Sequence, residues 1–349
     1  MPLAADLRRQ SLALGIGLAG GLGAYLLGTP LPWMLGPMIA NVAAAMLSAP
    51  VAGPARIRPW VIPILGVFLG SGVTPETVGL LGTWAVTLAI LPLFLIVAAG
   101  ISYSVYRRIG RYDPVTAFYA AMPGGLNEMV ILGAEAGGEE RRIALAHAAR
   151  VMMIIIFVAL FFGLFLGVSS DGQDVDTWIG LNEITTRDYI ILGLCAVLGA
   201  ILGKRLRLPA APVFGPLILS AAAHVTGWVT VAPPSIFVIA AQVTIGTLIG
   251  TRFVGATMRE IRRDLGLSVI ATFLMLIAAV AFAEAVYLAS GIPLTQGFLA
   301  YSPGGLAEMS LLAIAMDQDA TFVSLMHIIR IMLVIAIAPF VFMAIRARI

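Results

Sequence analysis

The sequence predicts an all-α integral membrane protein made of two inverted repeats, each with about five transmembrane helices plus one re-entrant Pro-Gly-Gly hairpin. Three observations lead there. The 349-residue chain is 60% hydrophobic and only 11% charged, where soluble domains carry about 25% charged residues. Its mean hydropathy is +1.01, as expected of helices that face lipid or one another. The stretch PGGLNEM at 123–129 returns as PGGLAEM at 303–309, and the basic loops can share one side of a membrane only in one arrangement of the helices.

Twelve apolar segments run along the chain, near 11–28, 31–48, 60–74, 79–104, 114–137 and 143–168, then 188–203, 210–226, 234–251, 265–289, 293–315 and 320–345. A full span needs about 20 apolar residues. Several segments are shorter or broken by Gly and Pro, so not all need cross. The first follows Arg8 and Arg9, as a cleaved signal or twin-arginine leader would. A retained helix is expected instead, because the run is long, lacks a small-residue cleavage site and is echoed at 188–203. Runs of short alternating strands are not seen.

The second segments match as LGPMI (35–39) and FGPLI (214–218), an offset of 179, with Gly36-Pro37 and Gly215-Pro216 marking kinks. In the third, Gly66 and Gly70 match Gly246 and Gly250 at an offset of 180. Glycines four apart are expected to form helix-packing faces; unwound ligand-binding backbone is the less common alternative. At the same offset Pro123, Gly124, Gly125, Leu126, Glu128 and Met129 match Pro303, Gly304, Gly305, Leu306, Glu308 and Met309. Further on, His147, Arg150 and Met152 match His327, Arg330 and Met332 without a gap. So many uncommon residues in register define a duplicated unit. The expected organisation is a first membrane repeat at 1–168, an acidic extracytoplasmic linker at 169–187 and a second, inverted membrane repeat at 188–349.

Charge selects the inversion. Six crossings per half would put the acidic linker inside and the basic loops 204–207 and 259–263 outside, against the positive-inside bias. If each Pro-Gly-Gly segment enters and leaves on one side, each half makes five crossings. Arg8, Arg56, Arg107, Arg141, Lys204, Arg259 and Arg346 then all fall inside with their basic neighbours, and the linker falls outside. An odd count turns the second half upside down relative to the first, the plan of many secondary transporters. Both termini are then cytoplasmic. Pro breaks the helix and Gly permits the turn after it. Non-helical backbone at membrane depth is tolerated only against protein or a water-filled cavity, so two opposed tips are expected to meet and line a site.

The candidate substrate- or ion-binding residues follow from this: Gly124, Gly125, Asn127, Glu128, His147 and Arg150, with Gly304, Gly305, Glu308, His327 and Arg330. Glu128 and Glu308 fall one turn into the outgoing half-helix, where the positive dipole end favours a carboxylate. A proton or Na⁺ site is favoured there over a structural cap, because ionisable groups in membranes are costly and usually line pathways. His147 and Arg150 share a helix face at i, i+3, as do His327 and Arg330. Each Arg is expected to pair with a hairpin carboxylate or bind an anionic group, with a static tie between hairpin and helix nearly as good an account. Either His is expected to titrate in coupling or to rest as a buried, bonded residue. The halves differ where Asn127 aligns with Ala307, Met122 with Ser302 and Gly72 with Arg252.

Metalloprotease, P-loop and nucleophile-elbow motifs are missing. With three histidines and one cysteine, a usual copper or zinc cluster is not expected, a mixed His and carboxylate site staying open. Cys195 has no partner for an intrachain disulfide and is expected to pack. No cofactor is expected beyond a coupling ion, H⁺ or Na⁺. The slight basic excess of 21 over 18 gives no reason to expect nucleic acid as a partner; the bilayer and a small-molecule solute are. A homodimer is compatible with the sequence, which does not define the oligomeric state.

The doubled PGGLNEM and PGGLAEM motifs, each followed by the His and Arg pair, together with LPWMLGPMI (31–39), resemble the bacterial AbrB family of duplicated membrane proteins. The resemblance covers nearly the whole chain and implies an inner-membrane protein. Family members carry labels such as "ammonia monooxygenase" and "regulator"; the soluble DNA-binding factor of the same name is a different protein. The resemblance supplies no catalytic residues, and Ala307 departs from the first motif. Secondary transport of a small solute, by alternating access about the two hairpins, is the favoured reading. A membrane-bound monooxygenase-type enzyme and a membrane regulator of gene expression are the alternatives.

Overall fold

The computed structural model describes residues 2–29, 31–75, 79, 81–166, 178–208 and 210–346. Every regular element among them is helical. Among the described residues seven α-helices precede the expected linker: α1 (Pro2–Leu26), α2 (Pro32–Met46), α3 (Arg58–Ser71), α4 (Ala85–Ser104), α5 (Pro114–Ala121), α6 (Leu126–Glu135) and α7 (Glu140–Leu166). Seven follow it: α8 (Thr186–Arg205), α9 (Ala211–Val225), α10 (Ser235–Gly250), α11 (Met258–Ser290), α12 (Leu294–Tyr301), α13 (Leu306–Ala315) and α14 (Ala320–Arg346). The last three helices of each set begin and end at the same offset of 180. Residues 169–177 of the expected linker, like Arg348, lie outside the described residues.

Polar side chains start several helices. Asp113 accepts from the Thr116 amide at the head of α5, and Thr185 accepts from that of Asp188 at the head of α8. Thr257 and Glu260 form a reciprocal capping box on α11. Each such cap contributes about 1 kcal/mol. Five described helices are long and apolar enough to cross a membrane: Ala85–Ile109, Thr186–Arg205, Ser235–Phe253, Arg262–Ser290 and Ala320–Ala344. The 25 residues of Ala85–Ile109 reach about 37 Å at 1.5 Å per residue, longer than a ~30 Å hydrocarbon core. The chain is a multi-pass membrane protein.

Two compact units emerge, and each draws on both halves of the sequence. Unit 1 comprises Met1–Leu80, Val158–Ala256 and Ser310–Thr321; unit 2 comprises Leu81–Phe157, Thr257–Met309 and Phe322–Ile349.

Unit 1 is held by glycine seams that repeat with pseudo-symmetry. A Cβ added to Gly66 or Gly70 of α3 would strike the carbonyl oxygens of Val213 or Leu217 on α9. On α10, one added to Gly246 or Gly250 would strike those of Met34 or Met38 on α2. Gly20 of α1 meets Gly36 of α2, and Gly199 of α8 meets Gly215 of α9, in the same way. Two of these seams, α3 with α9 and α1 with α2, carry a polar bond across them. Ser220 Oγ donates to Val67 O at 2.8 Å, and Asn41 Nδ2 donates to Ala13 O at 3.0 Å. The glycines four apart are therefore packing faces, the more common of the two roles expected of them. Cys195 is buried with Val67, Leu192 and Ala223.

Unit 2 places α11 against α4 and α12. Aromatic residues fill it: Phe94 meets Tyr301 edge-on at 5.1 Å, and the Tyr301 hydroxyl donates to Thr87 O at 2.7 Å. Past α4 the chain continues as a π-turn, Val105–Ile109. There Tyr106 and Tyr112 are buried with Leu267 and Ala271. The Tyr112 hydroxyl donates to Asp264 Oδ1 at 2.7 Å, and the Arg142 guanidinium lies 5.2 Å from the centre of its ring. Burial and the neighbouring Asp264 carboxylate push the Tyr112 phenol well above its usual range.

Candidate functional site

The two helix breaks lie where Pro dictates. A residue before Pro is pushed out of the helical region. Met122, before Pro123, takes φ −60° and ψ 127° and ends α5; Ser302, before Pro303, takes φ −53° and ψ 129° and ends α12. The chain resumes as helix at Leu126 and at Leu306.

The glycines between serve differently from expectation. None of Gly124, Gly125, Gly304 and Gly305 has a positive φ, so freedom to turn is not their reason. Room is. A Cβ on Gly125 would collide with Glu128 Oε2, and one on Gly305 with Glu308 Oε2. One on Gly124 would come within 2.8 Å of Val334 Cγ1 on α14, and one on Gly304 within 2.8 Å of Met309 Cγ. Glu128 and Glu308 thus fold back over the start of their half-helices, as the third residue of a capping box does. Glu308 is only 8% exposed. Asn127 falls in the first turn of α6, and its side chain lies outside the described residues.

The long helices α7 and α14 supply the cations. Arg150 and Arg330 are each 2% exposed, among the largest buried side chains, and His147 and His327 are fully buried. Both guanidiniums reach the breaks but bind main chain, not the hairpin carboxylates. Arg150 Nη1 donates to Met122 O at 3.0 Å and more weakly to Ala120 O at 3.4 Å. Arg330 donates from Nη1 to Ser302 O at 2.6 Å and from Nη2 to Gly304 O at 2.5 Å. A broken helix leaves carbonyls without amide partners, and a guanidinium fork fits two of them at once. That supply of acceptors is set by backbone, so the side-chain sequence does not display it.

The paired histidines are not equivalent. His147 Nδ1 accepts from Arg150 Nη2 at 2.8 Å, which leaves Nε2 as the donor to Tyr119 O at 2.9 Å. His327 Nδ1 instead donates to Val323 O, one turn back, at 3.0 Å. The repeat therefore conserves position but not bonding.

Within unit 2 the two sets converge. The first break abuts α14 at Val334, one turn beyond Arg330, and the Arg150 and Arg330 charges lie within electrostatic reach of each other. Neither forms an ion pair among the described residues, and each keeps a buried Nε–H without a partner. Two desolvated cations, each with a donor to spare, therefore lie in one region of unit 2. Among the described residues no three His, Cys, Asp or Glu side chains gather as metal ligands would.

Comparison with known proteins finds relatives along nearly the whole chain. A family model described as "Transition state regulatory protein AbrB" matches residues 33–346. The "Uncharacterized protein YhjN" of Bacillus subtilis (strain 168) is 26% identical over 353 aligned residues, covering 93% of this chain and 90% of that protein. The "Putative regulator AbrB" of Escherichia coli (strain K12) is 24% identical over 330, covering 94% and 92%. Because the family pattern runs through both helix breaks and both buried arginines to the end of α14, the chain belongs to the AbrB family.

Proposed function

We propose that this chain is a secondary transporter of a small solute, an organic anion by preference, coupled to H⁺ or Na⁺. The observation that carries the reading is the pair of buried guanidiniums, Arg150 and Arg330, each gripping a helix break and each with an unused Nε–H. In this reading the breaks are the tips of re-entrant hairpins that enter from opposite faces, between repeats of inverted orientation. Half-helix N-termini and cations face the anion, and Glu128 and Glu308 take up the coupling ion. The matched helix boundaries and the repeated glycine seams support a duplicated plan. The inner membrane, cytoplasmic termini and an extracytoplasmic linker complete the proposal.

The printed family description and the name of the Escherichia coli relative both speak of regulation. They favour the second reading, a membrane-bound regulator of gene expression, in which the same site senses an anion without moving it. Nothing observed favours the remaining alternative, a monooxygenase-type enzyme.

The test is a thermal-shift screen of the purified full chain with organic acids, amino acids, ammonium and Na⁺ at two pH values, followed by flux into proteoliposomes. Stabilisation by an organic acid that Glu308→Gln or Arg330→Met abolishes, with flux of the same compound, supports transport. Binding without flux selects the regulator. A ligand that binds both folded variants as well as wild type refutes the site. Orientation is read separately by labelling single cysteines at Trp178→Cys and Arg207→Cys in a Cys195→Ser background. Labelling from the same side of the membrane refutes the inverted plan.

A further inference from the structure

Unit 1 has a recess of its own. It encloses about 580 Å³ and is lined by Gly53, Arg58, Pro212, Leu248, Thr251 and Arg252 among others. That volume falls within the roughly 300–1,000 Å³ of small-ligand pockets. Among the described residues its charged lining is the two arginines, which lie within electrostatic reach of each other. Arg58 opens α3, so the positive end of that helix dipole adds to the same field. Pro212 and Leu248 provide an apolar wall.

The charge here breaks the repeat. At an offset of 180, positions 58 and 252 correspond to Val238 and Gly72. The duplicated position therefore has neither cation, and packing symmetry does not account for the pair. The setting is that of a membrane surface. Trp60 is 75% exposed one residue past Pro59, and Arg56 is exposed just before α3. Exposed tryptophan beside basic residues is how membrane helices mark the headgroup level.

We propose that this recess binds a phosphate group, as the headgroup of an anionic phospholipid presents it. Guanidinium forks match phosphate oxygens two at a time, and basic recesses between membrane helices take anionic headgroups. The apolar wall then lies along the glycerol. A free phosphorylated solute offers the same phosphate chemistry without the acyl chains, and the experiment separates the two.

Native mass spectrometry of the full chain in mild detergent, with added phosphatidylglycerol or phosphatidylcholine, reads the site directly. The expected result is preferential phosphatidylglycerol adducts, reduced roughly 30-fold in Arg58→Gln/Arg252→Gln and unchanged in Arg56→Gln. Unchanged adducts in the presence of inorganic phosphate identify the lipid as the source; displacement by inorganic phosphate assigns the site to a soluble phosphate compound. If the double variant does not fold, wild type alone decides: phosphatidylglycerol selectivity that falls with added salt supports the site. Equal adducts of the two lipids with no phosphate competition, or selectivity that survives in the folded double variant, overturns it.

Discussion

Substituting alanine at the seam glycines of unit 1 is expected to destabilise the protein, and the size of the effect follows from the geometry. A Cβ on Gly66 would overlap the carbonyl oxygen of Val213 and sit 2.9 Å from Pro216 Cβ. Ordinary contact begins at 3.4 Å, so α3 and α9 must separate by about an ångström. Overpacking of this kind costs about 1–3 kcal/mol. Alanine's better helix propensity returns up to about 1 kcal/mol, leaving a net loss of roughly 1–2 kcal/mol. Gly246 faces Met34 and Pro37 in the same way and should lose as much. Gly100 of α4 and Gly193 of α8 have nothing within 4 Å of an added Cβ. Alanine at either should stabilise by roughly 0.5–1 kcal/mol. Thermal melting of the four single variants in one detergent measures the contrast. If Gly66→Ala and Gly246→Ala melt with or above Gly193→Ala, the seams are not close-packed and the account of unit 1 fails.

Three further outcomes are expected. Arg330→Lys should lower the melting temperature more than Arg150→Lys, because a single-nitrogen ammonium does not reproduce the fork whose two nitrogens reach Ser302 O and Gly304 O separately, whereas Arg150 makes one main-chain bond of 3.0 Å and a weaker one of 3.4 Å, and a buried carbonyl left bare costs about 1–3 kcal/mol; equal loss would contradict the tighter clamp at the second break. Ser220→Ala should cost about 0.6–1 kcal/mol through the lost bond to Val67 O, measured in the same melts, and no loss would remove that bond from the account. Outside the membrane, hydrogen bonds from the Thr257 amide and hydroxyl hold the Glu260 carboxyl below its usual range. A depressed carboxylate stabilises above its unfolded value, about 4.3, and loses that contribution as pH falls through the folded one. The stability gap between wild type and Glu260→Gln should therefore hold at neutral pH and close on acidification, and a gap that widens in acid would refute this assignment.

Much of the architecture is legible in the chain because punctuation residues act locally. Pro123 and Pro303 stop α5 and α12 two residues upstream, and both restarts share one offset. Gly66, Gly70, Gly246 and Gly250 read as packing faces and serve as such. Their partners were not legible, since a bare glycine face accepts any small-residue ridge. In the structure α3 pairs with α9 and α2 with α10, across the halves. At the candidate site the residue types and register could be read, whereas the bonding could not. Arg150 and Arg330 answer to carbonyls freed by the breaks, and His147 and His327 choose opposite roles for Nδ1. The link from Tyr112 to Asp264 spans |i−j| = 152 and joins two residues that no motif sets apart.

The crossed seams also dictate an order of assembly. When α2 and α3 leave the ribosome, α1 can already meet α2, but α10, which packs on α2, and α9, which packs on α3, do not yet exist. Gly66 waits for Val213, about 150 residues later, or roughly 7–30 s of synthesis at ~5–20 residues per second. Throughout that interval Gly66 and Gly70 lack the α9 backbone that closes on them. Unit 1 thus closes only when helices from the second half of the chain are laid across those of the first. Cut in the linker, neither fragment should mature alone, and both together should restore the whole.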